Sequence, residues 1–289
     1  MCIIGTKTAL LHWLARQPLW SLHALGAALG WLAYGLSPRY RRLLRENASA
    51  AGLSAAQRRA SVAEAGRLYA ELPRVWLRPP GQALPDPVAW RGEDWMEAAM
   101  RSSAPLIILT PHLGCFEVIA QAYAERFGPR KPMTALYRPA RQAWLGELQL
   151  LARNRPHLHS APANLAGVRQ LLRVLRDGQT IGLLPDQVPP EGQGVWAPFF
   201  GRPAYTMTLA ARLARQTGAT VLALWCERLR RGAGYVIHVA PMAQPWGEPA
   251  SDDEQAARDV NASMEALIRQ SPSQYLWAYD RYKAPRVHP

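Results

Sequence analysis

The chain has 289 residues, 49% of them hydrophobic and 11 of them tryptophan, a composition that excludes an intrinsically disordered protein. Its 34 basic and 21 acidic residues leave a net charge of +13, which favours an anionic partner such as a nucleic acid, an anionic bilayer surface or an acidic carrier protein. Three cysteines without a short spacing exclude a cysteine-based zinc site, and they fit a reducing compartment better than a disulfide framework.

The first predicted element is an uncharged apolar segment near the N terminus, residues 17–38. As a helix, these 22 residues would reach about 33 Å, enough to cross a hydrocarbon core of roughly 30 Å. The basic run "RYRRLLR" (39–45) follows directly, and the positive-inside rule keeps such a run in the cytosol, where it can bind anionic headgroups. We therefore predict a membrane anchor over residues 1–38, with the main domain on the cytosolic side.

Small and polar residues within this segment leave an alternative open. Ser21, His23, Gly26 and Gly30 dilute its hydrophobicity. A helix that is buried in the fold or lies on a surface is therefore the alternative to a helix that spans the bilayer. A cleaved signal peptide is disfavoured, because the apolar stretch is long and no A-x-A cleavage site follows it.

A helical connector region is predicted between the anchor and the main domain, over residues 39–87. Ser54 and Gln57 have the spacing of a capping box, which opens an amphipathic helix over residues 54–78. The proline-rich stretch "PPGQALPDP" (79–87) then leads into the main domain, residues 88–289.

Strands and helices alternate in the predicted main domain. Strands are predicted at 105–110, 133–137 and 180–185, and helices at 115–128, 140–153, 164–178 and 205–218. Residues 220–240 have the pattern of a hairpin that turns at Gly232–Gly234. Ser251 and Glu254 form a second capping box, which opens a last helix that ends before Pro272. This alternation predicts an α/β fold whose sheet is largely parallel and ends in an antiparallel pair.

The segment "TPHLGCFEV" (110–118) places His112 in the turn between a predicted buried strand and a predicted helix. Glu117 follows five residues later, in the first turn of that helix. Residues five apart on one continuous helix diverge by about 140°, but across a strand–turn–helix corner two such side chains can fold together. Ligands of open α/β sheets gather at the carboxyl ends of strands, where this turn lies. We therefore predict that His112 and Glu117 form a catalytic dyad.

The chemistry that such a dyad performs is general-base catalysis. The histidine takes a proton from a hydroxyl as that hydroxyl attacks a carbonyl carbon, and the carboxylate stabilises the imidazolium. The helix N-terminus beside it offers backbone N–H groups to a developing oxyanion. The chain has no G-x-S-x-G motif, and Cys115 is interpreted as helix packing rather than as a nucleophile. The pattern thus predicts direct transfer to a bound hydroxyl, without a covalent enzyme intermediate.

Five blocks of the sequence resemble the lysophospholipid acyltransferase superfamily, and within it the lipid A late acyltransferases, the lauroyl- and myristoyl-transferases of lipopolysaccharide assembly. "TPHLGCFEV" resembles the H-x4-D/E block, and "ALYRPA" (135–140) is similar to the second block. "GLLPDQ" (182–187), "PFFGRPAYT" (198–206) and "SPSQYLWAYDRYK" (271–283) resemble the later blocks in order and spacing. The last of these departs from the more basic run of many relatives, because it carries Asp280.

The resemblance implies a glycerol-3-phosphate-acyltransferase-like sandwich with a mostly parallel central sheet flanked by helices, plus an N-terminal membrane-anchoring helix. It implies transfer of a fatty acyl group from acyl carrier protein to a hydroxyl of a lipid A precursor, at the cytoplasmic face of the inner membrane. The implied partners are acyl carrier protein, membrane phospholipid and the lipid A precursor. The transfer that the resemblance implies needs no metal and no redox cofactor. Nucleic-acid binding is a disfavoured alternative, because no recognised nucleic-acid-binding motif accompanies the basic charge.

The same blocks supply the expected substrate-binding residues. These are Gly114, Arg138, Asp186, Gln187, Phe199, Phe200 and Gly201. Arg138 and the backbone amides near Gly114 are expected to stabilise the thioester oxyanion or a phosphate of the acceptor. Asp186 and Gln187 are expected at the sheet edge that carries His112, where they contact the acceptor or organise their loop. The two phenylalanines are expected either to line a channel for the acyl chain or to belong to the aromatic core.

The charge distribution leaves alternatives open. Ten basic residues and a single acidic one lie within residues 126–176, and they form either a docking face for the acidic carrier protein or an ordinary solvated surface. The acceptor is either a lipid A precursor or another glycolipid, a glycerolipid or a lipo-amino acid. A catalytically silent protein that binds anionic lipid at the membrane surface is the alternative from a different class.

Overall fold

Helices and strands alternate through most of the computed structural model, which describes residues 2–79, 81–137, 142, 146, 148–149, 152–153, 155–242 and 252–286. The helices are α1 (Cys2–Ala15), α2 (Leu19–Leu36), α3 (Pro38–Ala50), α4 (Ala55–Trp76), α5 (Glu93–Arg101), α6 (Phe116–Arg126), α7 (Leu165–Arg176), α8 (Leu209–Thr217) and α9 (Asp253–Gln270). The strands are β1 (Val88–Arg91), β2 (Leu106–Leu109), β3 (Met133–Tyr137), β4 (Leu158–Pro162), β5 (Thr180–Leu183), β6 (Gly194–Phe199), β7 (Arg202–Met207), β8 (Thr220–Arg228) and β9 (Tyr235–Pro241).

A seven-stranded sheet with the order β1-β9-β8-β2-β5-β3-β4 forms the centre of the fold. Strands β8, β2, β5, β3 and β4 run parallel to one another. β9 is antiparallel to β8, and β1 is parallel to β9. The predicted α/β fold, with a mostly parallel sheet and an antiparallel hairpin at 220–240, is therefore confirmed.

Helices cover both faces of this sheet, because the side chains of each strand alternate between two cores. In β2, Ile107 and Leu109 pack into one core with α7, α8 and α9, whereas Leu106 and Ile108 pack into the other with α5 and α6. All four side chains are at most 1% exposed. This burial on both faces explains why β2 is a continuous apolar run, as is typical of central parallel strands.

Several elements differ from the sequence-based prediction. β1, β4 and α5 are not predicted, because β1 and β4 are short and mix polar with apolar residues. α8 begins at Leu209 rather than at residue 205, since β7 pairs with β6 in an antiparallel hairpin that includes those residues. Within the predicted helix 140–153, residues 146, 148, 149, 152 and 153 are helical, residue 142 lies in a bend, and the others lie outside the described residues.

The two predicted capping boxes have different outcomes. The capping box of Ser54 and Gln57 is confirmed at the start of α4. Ser251 lies outside the described residues, and Asp252 is the residue that caps α9, where its carboxylate accepts a hydrogen bond from the Gln255 backbone N–H at 2.7 Å.

The apolar segment near the N terminus forms α2, which packs lengthwise against α4. Gly26 and Gly30 approach Gly66 of α4 so closely that a Cβ atom on Gly66 would lie 1.9 Å from the carbonyl oxygen of Gly26. Among the described residues, α2 is the one helix long and apolar enough to cross a membrane, and 28% of it is buried. The division into residues 1–38, 39–87 and 88–289 stays a prediction.

A buried ion cluster joins α4 to α2 and to the sheet. The carboxylate of Glu71 in α4 is fully buried; it accepts a hydrogen bond from Arg228 Nε in β8 at 2.9 Å and lies 2.9 Å from His23 Nε2 in α2. The Tyr235 hydroxyl donates to the same carboxylate at 3.2 Å. Burial alone would raise the pKa of Glu71, but the Arg228 charge and the hydrogen bonds from His23 and Arg228 lower it from 4.5 to about 2.

Glu71→Gln should destabilise the fold by about 3 kcal/mol, because it leaves the Arg228 guanidinium, 3% exposed, without its closest counter-charge. The contribution of Glu71 is present above its ordinary pKa of 4.5 and is lost as the pH falls toward about 2. Between pH 4.5 and about 2, the melting temperature of Glu71→Gln should therefore fall less on acidification than that of the wild type. Thermal unfolding of the detergent-solubilised protein at pH 7 and at lower pH measures both effects.

The matched control is Glu46→Gln, since the Glu46 carboxylate is 57% exposed and lies 3.9 Å from Arg42. Such a surface pair contributes little, and its loss should leave the melting temperature nearly unchanged. Equal melting temperatures for Glu71→Gln and Glu46→Gln would contradict a stabilising role for the buried cluster.

Candidate active site

His112 lies in the turn between β2 and α6, and Asp186 lies in the loop that follows β5. β2 and β5 are neighbouring parallel strands, so both residues are at the carboxyl edge of the sheet although 74 positions separate them in the chain. The predicted placement of Asp186 and Gln187 at the sheet edge that carries His112 agrees with this arrangement. Ligand sites of open α/β sheets form at this edge.

Asp186 holds both the ring and the backbone of His112. His112 Nδ1 is 2.8 Å from one carboxylate oxygen of Asp186, and the His112 backbone N–H donates to the other oxygen at 2.9 Å. Burial would raise the pKa of Asp186, which is 2% exposed, but the contacts with His112 and the charge of Arg281 lower it below its ordinary value. A carboxylate acceptor at Nδ1 places the proton of a neutral imidazole on Nδ1 and leaves the lone pair on Nε2.

The side-chain amide of Gln187 lies at the other ring nitrogen. Gln187 Nε2 is 3.0 Å from His112 Nε2, and an amide nitrogen can only donate, so this contact also assigns the lone pair to His112 Nε2. The His112 side chain is 17% exposed, and its ring packs edge-on against Phe116 at 4.8 Å between centroids. The arrangement therefore presents a basic nitrogen, with a hydrogen-bond donor beside it, at a partly open position.

The C-terminal block, residues 271–283, contacts both His112 and Asp186. The Leu276 backbone N–H donates to the carbonyl of His112 at 3.2 Å. The Tyr275 hydroxyl lies against the Asp186 carboxylate, and burial together with that negative charge raises the pKa of Tyr275. Arg281 is 3% exposed and donates to the Tyr205 carbonyl at 2.6 Å. Its charge acts on Asp186. Sequence analysis did not single out Arg281, although it lies within the block "SPSQYLWAYDRYK".

Glu117 contacts residues other than His112, the partner that the sequence predicts. Its carboxylate accepts a hydrogen bond from Trp76 Nε1 at 3.1 Å and pairs with the Arg153 guanidinium. Asp186, not Glu117, is the carboxylate that the structure places in hydrogen-bond contact with the His112 ring. Because α6 begins at Phe116, Glu117 points from the first helical turn toward α4 rather than back across the corner. A catalytic role for Glu117 stays a prediction.

The backbone N–H groups of Gly114 and Cys115 already have acceptors within the fold, and oxyanion binding by the amides near Gly114 stays a prediction. The Gly114 N–H donates to the Gln274 carbonyl at 3.1 Å, and the Cys115 N–H donates to the Cys226 carbonyl at 3.0 Å. Gly114 has a φ of +61°, and a Cβ atom there would lie 1.7 Å from the Cys226 carbonyl oxygen. Gly114 therefore allows the His112 turn to pack closely against β8.

The Phe-Phe-Gly segment forms the turn of the β6–β7 hairpin. Phe199 is 1% exposed and belongs to the core, where its ring contacts Phe200 at 4.9 Å between centroids. Phe200 and Gly201 have φ values of +46° and +74°, as the tight turn requires. Phe200 also lines a cleft of about 240 Å³ together with Leu53, Ile268 and Trp277. A direct contact of this segment with substrate stays a prediction.

The basic residues within 126–176 do not form one free docking face. Arg126 and Arg130 pair with carboxylates of α5, and Arg153 pairs with Glu117. Arg155 is 7% exposed and donates to two backbone carbonyls at 2.7 Å. Arg138 and Arg141 lie outside the described residues. Within the part of the range that the structure describes, the exposed arginines without an ion pair are Arg169, Arg173 and Arg176, all on α7.

No group of three His, Cys, Asp or Glu side chains among the described residues could hold a metal ion. The proton-transfer chemistry that the site supports is that of a histidine with one carboxylate and one amide. That the protein uses no metal or redox cofactor stays a prediction from the family resemblance.

The sequence matches the family described as bacterial lipid A biosynthesis acyltransferase over residues 4–284. It is similar to the lipid A biosynthesis palmitoleoyltransferase of Escherichia coli (strain K12), with 26% identity over 273 residues that cover 91% of this chain and 85% of the relative. It is also similar to the lauroyltransferase of that strain, with 25% identity over 302 aligned positions, 96% of this chain and 94% of the relative. For the myristoyltransferase the identity is 26% over 268 residues, 91% and 79% of the two chains.

Proposed function

Because the chain belongs to the bacterial lipid A biosynthesis acyltransferases, we propose that it transfers a fatty acyl group from acyl carrier protein to a hydroxyl of a lipid A precursor. The observation that supports this most directly is the His112–Asp186 pair at the carboxyl edge of the sheet, with Nε2 as its basic atom. We propose that the α/β domain is a glycerol-3-phosphate-acyltransferase-like sandwich. The relatives' names share lipid A biosynthesis and differ in the acyl group that is named.

In the proposed mechanism the acceptor hydroxyl displaces the Gln187 amide from His112 Nε2. His112 takes the hydroxyl proton as the oxygen attacks the thioester carbonyl carbon and forms a tetrahedral intermediate. The carbon–sulfur bond then breaks, the imidazolium returns its proton to the thiolate, and the ester is released with the free carrier thiol. Asp186 keeps Nδ1 protonated and stabilises the imidazolium. This exchange of a thioester for an ester is redox-neutral and needs no metal.

The developing oxyanion needs a hydrogen-bond donor near the base, and the backbone N–H groups of Gly114 and Cys115 already donate to the carbonyls of Gln274 and Cys226. Among the described residues, the Gln187 side-chain amide is the donor that contacts His112 Nε2, at 3.0 Å. We propose that this amide, once displaced, hydrogen-bonds the oxyanion or the acceptor. Arg138, which in the sequence directly follows Tyr137 at the carboxyl end of β3, is proposed to bind an anionic group of the substrates.

The site of reaction is proposed to be the cytoplasmic face of the inner membrane. Lipid A precursors are amphiphiles, so an enzyme that esterifies them must reach the bilayer surface. The apolar exposed face of α2 and the basic residues after it support a contact with membrane phospholipid.

We propose that α7 is the docking face for acyl carrier protein. Asn164, which caps α7, follows β4 at the carboxyl edge of the sheet, so α7 begins on the side of the fold where His112 lies. Arg169, Arg173 and Arg176 recur at helical spacing along one side of α7 and are exposed. Their charge is complementary to an acidic carrier protein.

Reversing the charge of all three α7 arginines to glutamate should raise KM for acyl-carrier-protein donors about tenfold or more at low salt, because docking depends on long-range attraction. The value of kcat should change little. The same acyl group on free pantetheine is the matched control donor, and its use should be unaffected. An equal KM for the carrier-bound donor in variant and wild type would rule out α7 as the docking face.

The function itself is tested by incubating membranes that contain the protein with labelled acyl carrier protein donors and a tetra-acylated lipid A precursor. We expect a new ester on the precursor, detected by mass spectrometry, and free carrier thiol in equal amount. Glycerolipids and other glycolipids serve as competing acceptors in the same assay. Acylation of one of these in place of the precursor would overturn the proposed acceptor, and absence of any transfer would overturn the enzymatic function.

A further inference from the structure

The two sides of α2 have different surroundings. One stripe faces α4 and is buried: Leu19, Leu22, His23, Gly26 and Gly30. The opposite side is apolar yet exposed, with Trp20, Leu25, Leu29, Trp31, Leu32 and Leu36 between 42% and 75% exposed. An apolar helix face of this length that no described residue covers marks an interaction surface. Its chemistry, leucine with flanking tryptophan, is that of a lipid contact.

Both ends of α2 are attached to the same folded body. At its N-terminal end, the β8–β9 turn packs so closely that a Cβ atom on Gly232 would lie 2.4 Å from the Trp20 backbone nitrogen. At its C-terminal end α3 follows, and Asn47 of α3 donates to the carbonyls of Trp277 and Tyr279 at 2.8 and 2.9 Å. A helix that spans a bilayer has its two ends on opposite sides of the membrane. These two attachments therefore cannot coexist with a spanning α2.

Leaving α4 would also break the contacts of the buried stripe. The His23 contact with Glu71, at 2.9 Å, would be lost, and His23 would enter the hydrocarbon. The close glycine packing of α2 against Gly66 would be lost as well. α4 cannot accompany α2 across a bilayer, since it carries six charged residues within 22. The buried stripe therefore binds α2 to its own domain from Leu19 to Gly30, and Tyr34 adds a partly buried contact near the C-terminal end.

Basic side chains surround both ends of the exposed apolar face. Arg230 and Arg231 are exposed in the β8–β9 turn, which packs on the first residues of α2. Arg39 and Arg42 are exposed in α3, directly after α2, and Arg45 of α3 donates to the Tyr34 hydroxyl of α2 at 2.6 Å. Arginines at both ends suit a helix whose two ends lie at the level of anionic headgroups in one leaflet.

We propose that α2 does not cross the membrane but lies in the plane of one leaflet, with its exposed face in the acyl region and its basic ends at anionic headgroups. The partner is an anionic phospholipid surface. This geometry deepens the membrane contact of the proposed function, and lipid binding can be measured without acyl transfer. The α4-facing stripe keeps the rest of the domain in fixed orientation to the bilayer.

Depth measurements at two positions of α2 distinguish the two orientations. Leu25 and Leu36 are eleven residues apart, which places them about 16 Å apart along the axis and within about 20° of the same side. Single nitroxide labels at Leu25→Cys and Leu36→Cys are compared in a Cys2→Ser background, where the remaining cysteines, Cys115 and Cys226, are buried. In phosphatidylglycerol-containing vesicles we expect equal, shallow depths from oxygen and nickel-chelate accessibility. Depths that differ by about 16 Å, or two labels in water, would overturn the proposal.

A vesicle-partition assay tests the same surface by mutation. Leu29→Glu combined with Leu32→Glu should weaken binding of the full chain to phosphatidylglycerol-containing vesicles about tenfold or more, since both leucines lie on the exposed face. The matched control is Leu165→Glu, because Leu165 is 66% exposed but lies on α7. Thermal unfolding in detergent confirms that the variants are folded. Unchanged partition of the double variant, or equal loss for Leu165→Glu, would contradict the assigned surface.

Discussion

Replacing His112 with alanine should lower kcat/KM for acyl transfer by about 10³-fold or more, because the variant has no group that takes the acceptor proton. The proposed mechanism assigns this step to His112 Nε2, which faces an amide donor rather than an acceptor. Transfer from a carrier-bound donor to the tetra-acylated precursor measures the effect. Residual turnover above the uncatalysed rate is expected, since substrate binding is retained.

A second variant separates loss of the base from loss of the fold. His112→Ala leaves the buried Asp186 carboxylate without its ring partner, whereas the amide of His112→Asn can still donate to that carboxylate. Both variants should be inactive, and His112→Asn should keep a melting temperature near that of the wild type. His159→Ala is the matched histidine control, because His159 is an exposed residue of β4. Normal turnover by either His112 variant would exclude general-base catalysis at this site.

Sequence patterns predict the elements of this fold better than the contacts between them. The strand at 106–109 and the helix at 116–126 follow from an apolar run and helical periodicity, and the turn that carries His112 follows from both. The pairing of β2 with β5 does not follow from any local pattern, because β2 lies between β5 and β8, which come much later in the chain. The partner of the His112 ring depends on that pairing.

The carboxylate that contacts the His112 ring is the clearest case of a contact that local sequence patterns do not predict. Sequence spacing favours Glu117, which is five residues from His112, because only local distance is visible in a sequence. The structure brings Asp186 to the imidazole across 74 positions, while Arg153 and Trp76 hold Glu117. The identity of Asp186 as a site residue was nevertheless predictable from the block "GLLPDQ", which resembles the family's third block. Its contact with the ring required the strand order.

Burial of charge is similarly invisible in the sequence. Nothing in the sequence distinguishes Arg155 and Arg228 from surface arginines, yet both are buried. Arg155 lies among backbone carbonyls, and Arg228 lies beside Glu71. A count of basic residues within 126–176 therefore overestimates the charge that is free to attract a partner. Among the described residues of this range, the exposed arginines without an ion pair lie on α7, an amphipathic helix that buries Leu171 and Leu175.

The identity of the carboxylate that holds His112 gives the second large prediction. Asp186→Asn should lower kcat by about 10³–10⁴-fold, because an amide can donate to Nδ1 and thereby moves the ring proton to Nε2, the wrong tautomer for a base. The asparagine oxygen can still accept from the His112 backbone N–H, so the turn should keep its conformation. The low-field proton resonance of the His112 Nδ1–H hydrogen bond should disappear in this variant.

Glu117→Gln is the matched carboxylate-to-amide control. The glutamine oxygen can still accept from Trp76 Nε1, but the Arg153 guanidinium loses its counter-charge, so we expect a lower melting temperature and a smaller loss of kcat than in Asp186→Asn. The low-field resonance should persist, since Nδ1 keeps its bond to Asp186. The opposite result, in which Glu117→Gln abolishes both turnover and the resonance while Asp186→Asn retains them, would contradict this mechanism. Glu117 would then be the carboxylate that holds the imidazole and stabilises the imidazolium during proton transfer.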